Sequence, residues 1–333
     1  MIRRLVLLCV ALTLPAVAQT TLNGAGATFP YPMYSKWFSE YHNAHPDVQI
    51  NYQSIGSGGG IRQVLAGTVD FGASDGPMSD EQLSQAKIKI LHIPTVLGAV
   101  VPAYNVSGLA GELRFSPETV AKICLGTVTN WNDKAIAADN PGIKLPDKSI
   151  ILVHRSDGSG TNYIFTDYLS KVSSEWKDKV GKGTSVKWPV GLGAKGNEGV
   201  AGMIRQMDGS FGYVELIYAV QNKIPYAAVR NPAGTWLKGS LEGATAAAAS
   251  VKSMPADFRV SITNAPGKDA YPISSFTWLL IPVQAKDQAR GKILVDFLNW
   301  MLDSGEKMTA DLAYASLPDN VSAKVREAIK QVR

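Results

Sequence analysis

The sequence predicts an α/β protein, in which strands and helices alternate along the chain. Apolar and polar residues alternate over residues 48–53, as in a strand, and apolar residues recur at helical spacing over residues 33–41. Glycine-rich turns separate the two patterns, which is typical of βα units. With 333 residues, of which 45% are hydrophobic, the chain is long enough for two domains with buried cores.

The two periodicities place the elements in chain order. Helices are predicted where apolar residues recur every three or four positions: 33–41, 61–65, 117–125, 161–172, 198–207 and 287–303. Strands are predicted where residues alternate or form a short buried run: 48–53, 69–73, 88–93, 96–104 and 150–153. The alanine-rich residues 243–250 are predicted to form a surface helix or spacer without a functional role.

Two extended apolar stretches, residues 94–104 and 271–282, lie far apart in the sequence. We interpret them as the two segments of a hinge between domains. The first lobe is then discontinuous and comprises residues 19–97 and 270–333, and residues 98–269 form the second lobe.

The N-terminus is typical of a cleavable signal peptide. Two arginines precede the apolar residues 5–14, and an A-x-A sequence ends at Ala18. A membrane anchor is the alternative, but it needs roughly twenty apolar residues, and Pro15 interrupts the stretch. We therefore expect residues 1–18 to be removed by cleavage before Gln19 and the remaining chain to be exported without inserting into the membrane.

Charge and cysteine content narrow the function classes. Lys and Arg number 33 against 28 Asp and Glu, a mild excess that does not indicate nucleic-acid binding. After cleavage Cys124 is the one remaining cysteine, so we expect it to pack in the core. The four histidines form no H-E-x-x-H motif. We therefore expect neither a metal nor another cofactor.

Three segments rich in glycine and hydroxyl residues, 24–30, 55–60 and 155–161, each border a strand-like run and precede a helix. Free N–H groups and the helix dipole make such helix starts suitable for anions. Each segment by itself is also compatible with an ordinary cap or turn. Arg155 adds a planar charged fork that suits an oxyanion. The candidate hydroxyl donors are Thr28, Ser57, Ser159 and Thr161.

A fourth segment, residues 69–77, ends a predicted strand at Asp75. One interpretation is a turn or helix cap ahead of Pro77. The other is a ligand contact, in which case the carboxylate repels any anion that has no proton to donate to it.

Most of these residues lie in short motifs that are spread along nearly the whole mature chain. The motifs are GAGATFP at 24–30, VDFGASDGP at 69–77, RSDGSGT at 155–161, VKWPVGLGAKGNEGV at 186–200, GYVE at 212–215 and YASLPD at 314–319. Through them the chain, from about Leu22 to Val321, closely resembles the periplasmic phosphate-binding proteins of high-affinity phosphate ABC importers.

The resemblance implies a two-lobed periplasmic solute-binding fold, with a mixed sheet flanked by helices in each lobe and a two-segment hinge that closes on one phosphate. It implies these ligand residues: Thr28 and Phe29 (backbone N–H and the Thr28 hydroxyl), Ser57, Asp75, Arg155, Ser159, Gly160 and Thr161. Asp157 is implied to hold the Arg155 guanidinium. The sequence departs from the family pattern beside the site, at Gly58, Gly76 and His154.

The resemblance also implies a monomer in the periplasm that delivers inorganic phosphate to membrane permease subunits driven by a separate ATPase. The chain itself has no G-x-x-x-x-G-K-[ST] motif. Sulfate or molybdate as the ligand is the nearest alternative.

A phosphate-ester hydrolase with Ser159 as nucleophile and His154 as base is a further alternative. A nucleophile elbow needs glycine two residues before and two after the serine, where this chain has Asp157 and Thr161. An exported interaction module is the third alternative. We expect a binding protein and not an enzyme.

Overall fold

The computed structural model describes residues 19–333, and the predicted signal peptide lies outside the described residues. The β-strands of this part of the chain are β1 (Thr20–Gly26), β2 (Val48–Ser54), β3 (Phe71–Ser74), β4 (Ile90–Asn105), β5 (Arg114–Phe115), β6 (Ile151–Arg155), β7 (Leu192–Ala194), β8 (Ser210–Glu215), β9 (Ala228–Arg230), β10 (Trp236–Leu237) and β11 (Ser274–Pro282).

The α-helices between residues 19 and 333 are α1 (Tyr31–Ala44), α2 (Ser57–Ala66), α3 (Asp80–Ser84), α4 (Pro117–Leu125), α5 (Lys134–Asp139), α6 (Gly160–Val172), α7 (Ser174–Lys179), α8 (Gly196–Gln206), α9 (Leu216–Gln221), α10 (Leu241–Ala249), α11 (Gln288–Asp303) and α12 (Asp319–Ile329). Two short 3₁₀ helices, Gly305–Met308 and Ala310–Leu312, follow α11.

The described strands form a main sheet of eight strands in the order β2-β1-β3-β11-β4-β8-β6-β7 and a small sheet in the order β10-β9-β5. In the main sheet β1 is parallel to β2 and β3, and β6 is parallel to β7 and β8. The central strand β4 is antiparallel to β11 on one side and to β8 on the other. The predicted α/β class is therefore confirmed, with mixed pairing.

Strand β4 belongs to both halves of the main sheet. Its residues 90–99 pair with β11, and its residues 100–105 pair with β8. The sequence predicted two strands here, at 88–93 and 96–104, and this prediction was wrong because the chain is extended throughout. A bulge lies beside Pro94, where the register shifts opposite Thr277, and it accommodates a proline that has no N–H to donate.

The six predicted helices are present, within a few residues of the expected bounds. Helix α4 begins where Ser116 accepts a hydrogen bond from the Thr119 N–H and ends at Gly126, whose φ is +75°. The alanine-rich residues do form a helix, α10, but the surface prediction was wrong for one face. Gly243 of this helix lies against the Cβ and the backbone nitrogen of Tyr271, and its alanine neighbours on that face are buried.

Several elements were not predicted from the sequence, and β8 and α12 are two of them. All six residues of β8 are buried, so its sequence shows no alternation. Helix α12 has its buried residues at helical spacing but follows an irregular region. Cys124 is fully buried in the core, as expected. Between residues 19 and 333, none of the helices combines the length and apolar character needed to cross a bilayer.

Candidate anion-binding site

The residues expected to bind the ligand lie in four segments that meet at strand ends. They come from the loop after β1, the start of α2, the end of β3 and the connection from β6 to α6. All eight of these residues are buried: Thr28, Phe29, Ser57, Asp75, Arg155, Ser159, Gly160 and Thr161. A charged or polar ligand here is shielded from bulk water. Each hydrogen bond to it is therefore stronger than in water, and each unpaired donor or acceptor costs more free energy.

The loop before α2 lies directly on the loop after β6. The Gly58 N–H donates a hydrogen bond of 2.8 Å to the Gly158 carbonyl. Gly56 has a φ of +85°, and a Cβ at this position would meet the Asp157 carboxylate and the Gly158 carbonyl. Both the backbone angle and the close approach therefore require glycine at position 56.

The first residue of α6 lies against two other site residues. A Cβ added to Gly160 would collide with Oδ2 of Asp75 and with Oγ of Ser57. The N–H groups of Gly160 and Thr161 belong to the first turn of α6, where the helix itself offers no acceptor. The start of α6 thus brings free donors next to Asp75.

Arg155 carries the positive charge of the site. Its Nε donates to Oδ1 of Asp157 at 2.8 Å, and its Nη2 donates to Oδ2 at 2.6 Å. The Gly196 N–H also donates to Asp157, at 3.1 Å. Burial alone would raise the pKa of Asp157, but the hydrogen bonds and charge of Arg155 outweigh it and lower that pKa. The pair is therefore ionised, and Asp157 fixes the plane of the guanidinium.

One nitrogen of this guanidinium has no hydrogen-bond partner in the described residues. Within the described part of the chain, Nη1 of Arg155 is buried and donates to no side-chain or backbone acceptor. A buried N–H of a charged group without an acceptor costs free energy, of the order of 1–3 kcal/mol or more. A bound anion supplies the missing acceptor.

The four hydroxyl groups share one property: each accepts a hydrogen bond from a protein N–H and so retains its own proton for another partner. For Ser57, one such partner is Oδ2 of Asp75, at 3.5 Å. The accepting contacts are Asn197 Nδ2 to Thr28 Oγ1 (2.9 Å), Asp75 N to Ser57 Oγ (3.1 Å), Asn162 N to Ser159 Oγ (3.0 Å) and Asn197 Nδ2 to Thr161 Oγ1 (3.0 Å).

Asp75 is the acceptor among these donors. Burial raises the pKa of its carboxyl to about 7, although the hydrogen bond from Thr277 and the charge of Arg155 both act to lower it. Oδ1 accepts from the Thr277 hydroxyl at 2.8 Å. Among the residues that the structure describes, Oδ2 has only the Ser57 hydroxyl as a donor, at a long 3.5 Å. This oxygen is therefore available to a proton on the ligand.

Sequence reasoning missed two residues that orient the site, Asn197 and Thr277. Asn197 links Thr28 to Thr161, and its Oδ1 accepts from the Glu215 N–H at 2.9 Å. Asn197 lies in the motif at residues 186–200, yet that motif carried no assignment of individual roles. Thr277 was noted only as part of an extended stretch, and strand pairing alone brings it to Asp75.

The departures from the family pattern have structural explanations. A Cβ on Gly76 would approach the Tyr163 ring to 2.8 Å, so the ring occupies the space of a larger residue. A Cβ on Gly58 would lie 3.2 Å from the Gly158 Cα, a close but smaller conflict. The His154 ring stacks on Trp188 with centroids 4.9 Å apart, and burial lowers its pKa. His154 is therefore held as a neutral ring against Trp188.

Comparison with known proteins identifies the family. A family model described as a PBP superfamily domain matches residues 14–305. The chain belongs to the PBP superfamily. Within it, the chain is 48% identical over 318 residues to the phosphate-binding protein PstS of Xylella fastidiosa, covering 94% of this chain and 86% of the relative. It is 46% identical over 308 residues to the PstS of Pasteurella multocida, covering 92% and 89%.

Solved structures of this superfamily share the two-lobed fold. One is a high-affinity periplasmic phosphate-binding protein, PfluDING, bound with phosphate, with a TM-score of 0.74 at 20% identity and coverage of 92% and 93%. Another is a phosphate-binding protein from Stenotrophomonas maltophilia, with a TM-score of 0.67 at 19% identity and the same coverage. At these identities the likeness concerns the fold.

Proposed function

We propose that this chain binds inorganic phosphate and delivers it to an ABC-type membrane importer. The observation that carries the proposal is the buried Nη1 of Arg155, which has no acceptor among residues 19–333. The four hydroxyls of the same candidate site retain their protons. A tetrahedral oxyanion has enough oxygen atoms to accept from all of these donors at once. The names of the relatives, phosphate-binding protein PstS, support the same ligand.

Asp75 favours phosphate over other oxyanions. At neutral pH phosphate keeps at least one proton, whereas sulfate keeps none, and the two ions have nearly the same size. A proton on phosphate satisfies Oδ2 of Asp75, which the protein leaves with one weak donor. Sulfate and molybdate place only lone pairs against this carboxylate when it is ionised.

The ligand residues are divided between the two proposed lobes, residues 19–97 with 270–333 and residues 98–269. Thr28 and Asp75 belong to the first, and Arg155 and Thr161 to the second. Strand β4 and strand β11 supply the two connecting segments in this proposal. A ligand that contacts both lobes binds the closed state preferentially, so phosphate stabilises closure.

The proposal includes a monomeric protein that acts in the periplasm after removal of residues 1–18. Its partners are permease subunits driven by a separate ATPase, to which the closed, phosphate-loaded form docks. The names of the relatives support phosphate binding, and delivery to permease subunits rests on the resemblance to the binding proteins of phosphate ABC importers.

A hydrolase is disfavoured by the surroundings of its two candidate catalytic groups. Oγ of Ser159 caps α6 by accepting from the Asn162 N–H at 3.0 Å. The His154 ring is stacked on Trp188, and its Nδ1 lies 3.1 Å from the Arg155 carbonyl oxygen. The histidine is therefore engaged away from the serine, and we propose binding without turnover.

Isothermal titration of refolded, phosphate-free protein tests the proposal. We expect one phosphate per chain, with much weaker binding of sulfate and molybdate. A chromogenic phosphate monoester, incubated with the same protein, is expected to remain intact. Equal binding of the three ions would contradict the phosphate assignment, and ester turnover would support the hydrolase instead.

A further inference from the structure

Two tyrosines, the half-buried Tyr52 and the buried Tyr218, hold the peptide groups at the start of the first ligand loop. The Tyr52 hydroxyl, on β2, donates to the Ala27 carbonyl at 2.8 Å. The Tyr218 hydroxyl, on α9, donates to the Thr28 carbonyl at 2.6 Å. Two successive carbonyls of this loop are therefore held by side chains from distant parts of the chain, 25 and 190 residues away.

The opposite ends of these peptide groups are the proposed phosphate donors. The Ala27 carbonyl shares a planar peptide group with the Thr28 N–H, and the Thr28 carbonyl shares one with the Phe29 N–H. A hydrogen bond to the carbonyl fixes the direction of the N–H on the other side. It also polarises the group, which strengthens the N–H as a donor.

We propose that Tyr52 and Tyr218 are positioning residues of the phosphate site, which aim and strengthen the N–H groups of Thr28 and Phe29 respectively. This inference rests on the proposed phosphate function.

The tyrosines remain donors over a wide pH range. Burial raises the pKa of Tyr52 and of Tyr218 well above the ordinary value, so both hydroxyls keep their protons. Tyr52 comes from the same proposed lobe as its carbonyl, whereas Tyr218 comes from the other one. In this proposal, the Tyr218 hydrogen bond that orients the Phe29 N–H therefore forms only when the lobes close.

The chain offers two matched controls. Tyr314 donates to the Phe29 carbonyl at 2.5 Å, but this peptide group ends at Pro30, which has no N–H. Tyr168 is fully buried in α6, and its hydroxyl has no hydrogen-bond partner among the described residues. Tyr314→Phe thus removes a comparable hydrogen bond without affecting an N–H donor, and Tyr168→Phe removes a hydroxyl without any bond.

Phosphate titration and amide NMR on the full mature protein test the inference. Tyr52→Phe and Tyr218→Phe are each expected to weaken phosphate binding about three- to tenfold, and the two controls to change it less than about twofold. With phosphate saturating and threonine and phenylalanine labelled with ¹⁵N, Tyr52→Phe is expected to move the Thr28 amide proton upfield more than that of Phe29. Tyr218→Phe is expected to show the opposite order.

This crossed pattern distinguishes positioning from a general loss of stability, which would lower the melting temperature without choosing between the two amides. Suppose that the unchanged protein binds phosphate normally. Amide shifts that do not follow the crossed pattern would then overturn the inference alone, and so would affinities of Tyr52→Phe and Tyr218→Phe equal to those of the controls. Failure of the unchanged protein to bind phosphate would overturn the proposed function as well.

Discussion

The Thr277 hydroxyl donates a hydrogen bond of 2.8 Å to Oδ1 of Asp75. Since this hydroxyl has one proton, Oδ2 of the same carboxylate is left for another donor. The bond also stabilises the ionised carboxylate, against the burial that raises the pKa of Asp75 to about 7. Thr277 therefore helps to decide whether Asp75 meets the ligand as an acceptor or as a donor.

Sulfate affinity is expected to fall as the pH rises through about 7. Below this pKa Asp75 is neutral and its O–H donates to a sulfate oxygen, whereas above it the carboxylate repels the ion. Phosphate brings its own proton, so its affinity changes less. Titrations of both ions between about pH 5 and about pH 9 measure the difference. Parallel pH profiles for the two ions would contradict this account.

Replacing Thr277 by valine is expected to raise the pKa of Asp75 further. The shape of the side chain is retained, but the hydrogen bond that lowers this pKa is lost. The sulfate profile should therefore move to higher pH. Thr309→Val is a control, because Thr309 is also buried but bonds to Glu306 and Ser316. A profile that stays in place for Thr277→Val would remove Thr277 from the selectivity mechanism.

Arg155→Ala removes the positive charge of the site and is expected to weaken phosphate binding by about 2–5 kcal/mol, the scale for breaking a buried charge pair. Arg155→Lys is expected to restore part of this loss only, because an ammonium cannot bond Asp157 through two nitrogens and still direct a third donor to the ligand. Titration of both variants measures the effect. Arg326→Ala, which removes an exposed arginine, should bind normally. A loss below about threefold for Arg155→Ala would remove Arg155 from the site.

Gly160→Ala is expected to hinder closure. The added Cβ collides with Asp75 and Ser57, so the variant should bind phosphate at least about tenfold more weakly. The matched control is Gly202→Ala in α8, where no atom lies within 4 Å of the added Cβ. Small-angle scattering should show a smaller radius of gyration with phosphate for the unchanged protein and for Gly202→Ala. An equal decrease for Gly160→Ala would show that this contact does not control closure.

The parts of the fold and site that sequence could predict are those encoded locally. Periodicity located α4 to the residue. Glycine and hydroxyl residues beside the predicted helix starts indicated the loops that we propose to bind the ligand. The supporting contacts join distant residues: Asn197 and Thr28 are 169 positions apart, and Thr277 and Asp75 are 202 apart. Such pairs depend on strand order, which a single sequence does not encode locally.

The pKa of Asp75 also could not be predicted from the sequence. Sequence reasoning treated this carboxylate as ionised at neutral pH. Its pKa of about 7 results from complete burial between segments that are far apart in the chain. The selectivity argument therefore applies fully above that pH, where Asp75 is an acceptor.

The most direct test of the account is the ratio of the sulfate and phosphate dissociation constants for the unchanged protein and for Asp75→Asn, measured by titration at about pH 8. An asparagine keeps an acceptor oxygen for phosphate and offers an N–H₂ to sulfate. We predict a ratio of about a thousand or more for the unchanged protein, and a much smaller ratio for the variant, mainly through tighter sulfate binding. Equal binding of the two ions by the unchanged protein, or the same ratio in both proteins, would contradict the account.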